Sequence, residues 1–110
     1  MRDLIDITGA SGNVYRFNRL REGRPLSAMG GNYVYARESG DAYEIVCAGE
    51  GENLMNDAHS RWEQAVKDHA ATTLFTRLNI SDRVRQHEQA DILEAARPPM
   101  NSEVGAASDS

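Results

Sequence analysis

The chain has 110 residues, a single cysteine and a formal net charge of −5. This length predicts one domain with a modest core, and the lone cysteine excludes an internal disulfide and is typical of a reducing compartment. Because no apolar run is long enough for a signal sequence or a membrane span, we expect a soluble cytoplasmic protein.

The first half of the chain has the pattern of two successive β-hairpins. Residues 4–7 and 14–17 flank a loop that contains two glycines, and residues 33–37 and 43–47 flank a loop that contains Gly40 and Asp41. β-Branched and aromatic runs on either side of such loops are a strong hairpin signal. We therefore predict four strands before the first helix.

Helical and strand patterns alternate in the second half. Apolar residues at spacings of three and four predict one helix from about Glu52 to His69, and residues 72–78 have the composition of a strand. Ser81 and Asp82 then supply an N-cap and an acidic first turn for a helix that runs to about Ala96. The apolar stripe of the first helix comprises Leu54, Ala58, Trp62, Ala65, Val66 and His69.

The sum of these elements is a small α/β (α+β) domain with a mainly antiparallel sheet and flanking helices. We expect a single domain over residues 1–101, in which an extra N-terminal hairpin (1–20) precedes the core (31–101). Residues 102–110 lack bulky side chains, so we expect a disordered tail.

Two triplets on neighbouring strands carry a resemblance to a known family. Gly31-Asn32-Tyr33 stands on one predicted strand, Cys47-Ala48-Gly49 ends the next, and Glu88 and Asn101 follow on and after the last helix. In this order the residues resemble the GIY-YIG nuclease superfamily, whose second triplet begins with Tyr and whose first helix carries an Arg. Here Cys47 replaces that Tyr, and Asp57 replaces that Arg.

The resemblance implies a small GIY-YIG-like fold and a metal-dependent phosphodiester cleavage. Glu88 would hold Mg²⁺ or Mn²⁺, and Tyr33 would help to activate or position the attacking water. An Asp at position 57 reverses the charge where negative charge develops, which predicts lost or reduced cleavage. Arg61, one turn later, is a candidate replacement for the missing Arg. The implied site comprises Tyr33, Cys47, Gly49, Asp57, Arg61, Asn101 and the metal ligand Glu88.

Each of these residues also has a simpler interpretation. The spacing of Val84, Glu88 and Ile92 places Glu88 within a packing stripe, where its stem can cover apolar surface while its carboxylate reaches water. Cys47 fits a small buried hydrophobe better than a reactive thiol, and Asn101 can brace the end of the domain without chemistry. Tyr33 is also an ordinary strand aromatic.

Two other ligand sites receive little support from the pattern. The three histidines and Cys47 have spacings that match no compact zinc site. Gly49 and Gly51 precede a helix, as in an anion-binding loop, but Glu50 and Glu52 beside them disfavour a phosphate. The three histidines are His59, His69 and His87.

Charge is distributed unevenly along the chain. Residues 14–37 hold five arginines and one acid, whereas residues 38–57 hold six acids and no base. The arginines suit an acidic protein partner or nucleic acid, but the acidic block disfavours a nucleic-acid phosphate at the second triplet. Alternatively, both blocks are a solvated sheet face. The arginines are Arg16, Arg19, Arg21, Arg24 and Arg37.

Three functions therefore remain open from the sequence. The first is a GIY-YIG endonuclease-like domain that has lost or reduced cleavage and acts as a binding or accessory module. The second is an active Mg²⁺-dependent endonuclease with an altered site. The third is a protein-interaction domain that uses the arginine-rich hairpin.

Overall fold

A computed structural model describes residues 3–21 and 23–102. These residues form five strands and three helices, which confirms the predicted fold class. The expected tail lies outside the described residues from position 103 onward, whereas residues 99–102 form a helical turn. The elements are β1 (Leu4–Thr8), β2 (Val14–Arg19), β3 (Gly31–Ser39), β4 (Ala42–Gly51), α1 (Leu54–Asp57), α2 (Trp62–His69), β5 (Thr73–Leu78) and α3 (Asp82–Ala96).

All five strands belong to one antiparallel sheet in the order β1-β2-β5-β3-β4. Both predicted hairpins are present, and the N-terminal hairpin joins the sheet through a short pairing of Asn18 and Arg19 with β5. A bulge interrupts the β3–β4 ladder between Tyr35 and Ala36, so that one extra residue stands on β4. The hairpin thus extends the sheet of the core instead of forming a separate layer.

Alternation along β3 divides the core between the two faces of the sheet. Tyr33 and Tyr35 pack with Leu54 and Ala65 on a face that we call the tyrosine face, which α1 and α2 cover. Val34 belongs to a second cluster on the opposite face, which we call the α3 face because α3 covers it. The two clusters give the small domain a core on each side of its central strand.

The single helix predicted from Glu52 to His69 is wrong, because the chain forms two helices there. The hydroxyl of Tyr35 explains the interruption: it donates to the carbonyl of Ala58 at 2.7 Å and accepts from the backbone N–H of Arg61 at 3.1 Å. Both backbone groups are thereby satisfied in a turn outside a continuous helix. The predicted stripe also overreaches at Val66, which is exposed.

The strand at 73–78 and the helix of Asp82–Ala96 agree with the prediction, and the side chain of Ser81 caps α3 by accepting from the N–H of Val84. The predicted packing stripe of α3 is wrong at its first position. Val84 is 45% exposed, and the buried face instead begins with Arg85. Hydrogen-bonded charged side chains therefore occupy much of the face that α3 turns to the sheet.

Candidate functional site at the glycine–tyrosine corner

Tyr33 and Gly49 lie directly opposite each other on β3 and β4. The phenol ring of Tyr33 covers Gly49 so closely that a Cβ at position 49 would stand 2.6 Å from its Cε2 atom and nearer still to Cζ and the hydroxyl oxygen. Burial raises the pKa of Tyr33, and the nearby Cys47 and Asp57 act in the same direction. The phenol therefore stays protonated at neutral pH. We call Tyr33, the Cys47–Gly49 triplet and the start of α1 the corner.

Two further glycines allow α1 to pack directly on the strands. Gly31 and Gly51 are paired, and a side chain at Gly31 would overlap the side chain of Leu54 at 2.6 Å. A side chain at Gly51 would likewise overlap the Asp57 carboxylate. The first helical turn is therefore in contact with both strands of the hairpin, as the strand, strand, glycine, helix order predicts.

Asp57 points its carboxylate back toward the start of α1. It accepts a hydrogen bond from the backbone N–H of Asn53 at 3.2 Å, while Asn53 in turn caps the helix through the N–H of Asn56. This reciprocal capping gives Asp57 a structural role that an Arg could not perform. Its negative charge beside Tyr33 disfavours an anionic ligand at the corner.

Arg61 also lies near the corner, because its charge acts on the pKa of Tyr33. Its guanidinium donates to the carbonyl of Met100 at 3.2 Å and to the side chain of Gln64 at 3.3 Å. Arg61 therefore joins the end of the described chain to the tyrosine face. A phosphate-binding role would require these hydrogen bonds to be given up or shared.

Asn101 completes the outer edge of β4 in the manner of a neighbouring strand. Its amide accepts from the backbone N–H of Ala48 at 2.8 Å and donates to the carbonyl of Ala48 at 2.7 Å. Gln89 donates to the same carbonyl at 2.8 Å. The bracing role that the sequence allowed for Asn101 is thus present.

Glu88 points away from the corner. Its carboxylate accepts from Arg77 Nε at 2.8 Å and from Asn79 Nδ2 at 3.0 Å, and its side chain is only 12% exposed. Arg77 is paired with Asn32, the neighbour of Tyr33 on β3, and alternation places Asn32 on the opposite face from Tyr33. Glu88 therefore lies on the α3 face, and its carboxylate is largely buried between Arg77 and Asn79, whereas the simpler interpretation placed it in water.

The α3 side chain that does reach the second triplet is Gln89, a residue that the sequence pattern does not single out. It is an uncharged amide, and its Oε1 atom is buried without a hydrogen-bond partner among residues 3–21 and 23–102. An amide cannot supply the anionic oxygen that Mg²⁺ prefers. Glu88, the metal ligand that the resemblance implies, thus lies away from the corner, where the resemblance would require it.

Near Glu88 lies a buried polar network that the sequence pattern does not indicate. Arg85 is 2% exposed and donates to Glu50 at 2.5 Å and to Asp82 at 2.6 Å. Its Nη1 group donates to the carbonyls of Asn79 and Ile80. This network avoids the large cost of an unpaired buried charge, and it engages all three nitrogens of the Arg85 guanidinium.

Asp91 attaches the N-terminal hairpin to α3. It accepts from the hydroxyl of Tyr15 at 2.7 Å, from the hydroxyl of Ser11 at 2.6 Å and from the backbone N–H of Ser11 at 2.8 Å. The hydrogen bonds from Ser11 and then from Tyr15 lower the pKa of Asp91, so its carboxylate is ionised at neutral pH. A side chain at position 9 would overlap the Asp91 carboxylate, so this contact requires the glycine.

Metal ligands do not gather at the corner. Within residues 3–21 and 23–102, no group of three or more His, Cys, Asp or Glu side chains could hold an ion. Cys47 is buried, which fits the interpretation as a small hydrophobic residue. Since the Glu88 carboxylate already receives Arg77 and Asn79, the residues present do not fit a divalent cation at that position either.

Many of the arginines in the basic block pair with acids on the same sheet. Arg19 and Arg21 share Asp3, and Arg37 pairs with Glu44. Arg16 pairs with Asp6 in the same manner. A cleft of about 590 Å³ nonetheless lies beside this block, and its lining includes Arg19, Arg21, Arg24, His59, Trp62 and Leu74.

Comparisons with protein-family models, with curated proteins and with solved structures give no match for this chain. None of the helices among the described residues is both long and apolar enough to span a membrane.

Proposed function

We propose that this protein is a GIY-YIG-like domain in which phosphodiester cleavage is lost or strongly reduced, and that it acts as a binding or accessory module. The observation that carries the proposal is the position of Glu88. Its carboxylate is engaged by Arg77 and Asn79 on the α3 face, whereas the α3 side chain that bonds to the second triplet is the amide of Gln89.

The charges at the corner support the same proposal. Cleavage of a phosphodiester requires positive charge where negative charge develops in the transition state, and the loss of one such contact costs about 10²–10³ in rate. Asp57 brings a negative charge to that position, and Arg61 already donates to Met100 and Gln64. The protonated phenol of Tyr33 is also unsuited to accept a proton from water.

A nicking assay on supercoiled plasmid, with Mg²⁺ or Mn²⁺ in a concentration series, tests the proposal. We expect the wild-type protein and its Glu88→Ala variant to nick at the same background rate. The alternative, an active endonuclease with an altered site, predicts metal-dependent nicking that Glu88→Ala abolishes. That result would overturn the proposal.

Restoring the residues of the family pattern gives a second test. The triple change Cys47→Tyr, Asp57→Arg and Gln89→Glu places an aromatic, a cation and a carboxylate around the corner. We expect metal-dependent nicking to rise above the wild-type background, provided that the variant folds by circular dichroism. A folded triple variant as inactive as the wild type would count against this assignment of residues.

A second candidate function is the binding of an acidic protein, and the cleft beside the basic block favours it. Three arginines and Trp62 line that cleft, and because Arg19 and Arg21 share the single acid Asp3, net positive charge remains beside the aromatic surface. Titration with a glutamate-rich peptide tests it, and we expect Arg24→Glu to weaken binding. A matched Arg83→Glu change on the exposed side of α3 should leave binding unchanged.

A further inference from the structure

The two outer strands of the sheet, β1 and β4, border the same cleft. Ile5, Asp6 and Ile7 of β1 face residues 41–43 and Ile45 of the second hairpin across a volume of about 320 Å³. Because β1 and β4 are the first and last strands in the sheet order, this shared cleft means that the sheet curls toward a barrel that is not closed.

Hydrogen-bond alternation identifies which backbone groups of β1 point into the gap. The N–H of Arg19 donates to the carbonyl of Asp3, and the N–H of Gly9 donates to the carbonyl of Asn13, so odd-numbered residues of β1 bond to β2. The N–H and C=O groups of the even-numbered residues therefore point outward. These residues are Leu4, Asp6 and Thr8.

Hydrogen-bond alternation also identifies the outward backbone groups of β4. The carbonyl of Ala36 accepts from the N–H of Thr72 on the β5 side, so its partner Ile45 does not bond to β3. The backbone groups of Tyr43 and Ile45 thus point away from the sheet. Further along the strand, the outward groups of Ala48 are capped by Asn101 and Gln89. The edge of β4 is therefore covered at one end and open at the other.

Strand directions favour one inserted strand. Each neighbouring pair in the order β1-β2-β5-β3-β4 is antiparallel, so β1 and β4 run in the same direction. A single segment of opposite direction would be antiparallel to both edges at once. We propose that this gap binds a short extended segment of another protein, which adds as a sixth strand and closes the barrel.

The side chains around the gap indicate the chemistry of that segment. Tyr43 and Ile45 are only partly buried, and together with the edge of the buried Ile5 and Ile7 they offer an apolar surface to the inward-pointing side chains of an added strand. Asp41 stands at the rim near Asp6, whose carboxylate already pairs with Arg16, so Asp41 supplies the negative charge that an added strand would meet. The segment should therefore alternate apolar residues with Lys or Arg. This surface is separate from the corner, and the proposal does not depend on the nuclease resemblance.

The test uses the ¹⁵N-labelled protein and a panel of short capped peptides in which Val, Ile or Tyr alternates with Lys or Arg. We expect amide shifts at Leu4, Asp6, Thr8, Tyr43 and Ile45, with slower hydrogen exchange at those positions. Peptides that are N-methylated at alternate residues should bind at least tenfold more weakly, because they lack main-chain donors. Peptides with Glu in place of Lys or Arg should also bind more weakly.

Two charge reversals, one at the rim of the gap and one away from it, test the contribution of charge to peptide binding. Asp41→Lys at the rim should weaken binding about fivefold or more, whereas Asp68→Lys on the exposed side of α2 should change it less than twofold. The proposal is overturned if no peptide in the panel shifts these amides at millimolar concentration, or if N-methylated peptides bind equally well. It is also overturned if sedimentation shows a dimer whose formation shifts the same edge amides, because a second copy of the chain would then cover these edges.

Discussion

The contact between Gly49 and Tyr33 permits a sharp test of how the corner is packed. A methyl group at position 49 would stand 2.6 Å from Cε2 of Tyr33, about 1 Å inside an optimal carbon–carbon separation. The ring is 8% exposed and packs beside Tyr35 with 5.5 Å between ring centroids, so it has little room to move. Gly49→Ala should therefore destabilise the protein.

The expected size follows from two opposing effects. Overpacking of this kind costs about 1–3 kcal/mol, while replacing a strand glycine recovers about 0.5–1 kcal/mol of backbone entropy. The net loss of about 1–2 kcal/mol should lower the Tm by about 5–15 °C for a domain of this size. Urea unfolding monitored by circular dichroism measures the same loss as a lower midpoint.

A double-mutant cycle with Tyr33→Leu isolates the contact. Without the phenol ring, Gly49→Ala should be neutral or slightly stabilising, which gives a coupling energy of about 1 kcal/mol or more. If Gly49→Ala cost the same in both backgrounds, the ring would not be the obstacle, and the described packing of the corner would be refuted.

Three further outcomes follow from individual contacts. Tyr35→Phe should lower the free energy of unfolding in urea by about 1–3 kcal/mol, because the backbone groups of Ala58 and Arg61 lose their hydrogen-bond partner. The control Tyr43→Phe removes a hydroxyl that has no partner among the described residues, so it should cost under about 0.5 kcal/mol. Equal losses in the two variants would contradict the role of Tyr35. Arg77→Met should lower the free energy of unfolding by about 2 kcal/mol, because the buried Glu88 carboxylate loses its cation. Adding Glu88→Met should restore part of that stability. If the double variant is no more stable than Arg77→Met, the ion pair is contradicted. Asp91 has a lowered pKa in the folded protein, so its ionised carboxylate stabilises the fold above the unfolded pKa, and this contribution is lost as the pH falls below about 4. In Asp91→Asn the free energy of unfolding should therefore fall less steeply on the acid side of its pH profile. An unchanged acid slope would contradict this role of Asp91.

The sequence predicted the strands well because their signals are local. Alternation, β-branched residues and the glycine loops define both hairpins and the strand at 73–78 without reference to distant residues. The helix interruption at residues 58–61 was not predictable in this way, since it depends on the hydroxyl of Tyr35, a residue more than twenty positions away.

The buried charges of α3 were missed for a related reason. Arg85, Glu88 and Ile92 have helical spacing, but a search for apolar residues passes over Arg85 and selects Val84 instead. Charged residues are rarely buried without partners, and the partners Glu50 and Asn79 come from other elements. A buried face made of paired charges therefore becomes visible only in three dimensions.

The candidate site was predicted in part. The order of strands and helix brought Tyr33, Gly49 and Asp57 together as expected, because neighbouring elements in the chain are neighbours in space. Which α3 side chain reaches the second triplet depends on the rotation of that helix, and one residue of difference selects Gln89 over Glu88. A one-residue step on a helix turns a side chain by about 100°.

The most direct measurement of the central claim is a titration of the ¹⁵N-labelled protein with Mg²⁺, followed by a short DNA duplex, with backbone amide signals as the readout. Because Glu88 is paired with Arg77, we expect the amide signals of Tyr33, Gly49 and Glu88 to stay unshifted up to about 10 mM Mg²⁺. This concentration is far above the dissociation constant expected of a functional metal site. Saturable shifts clustered at those three amides, and lost in Glu88→Ala, would contradict the account and make metal-dependent cleavage the better explanation.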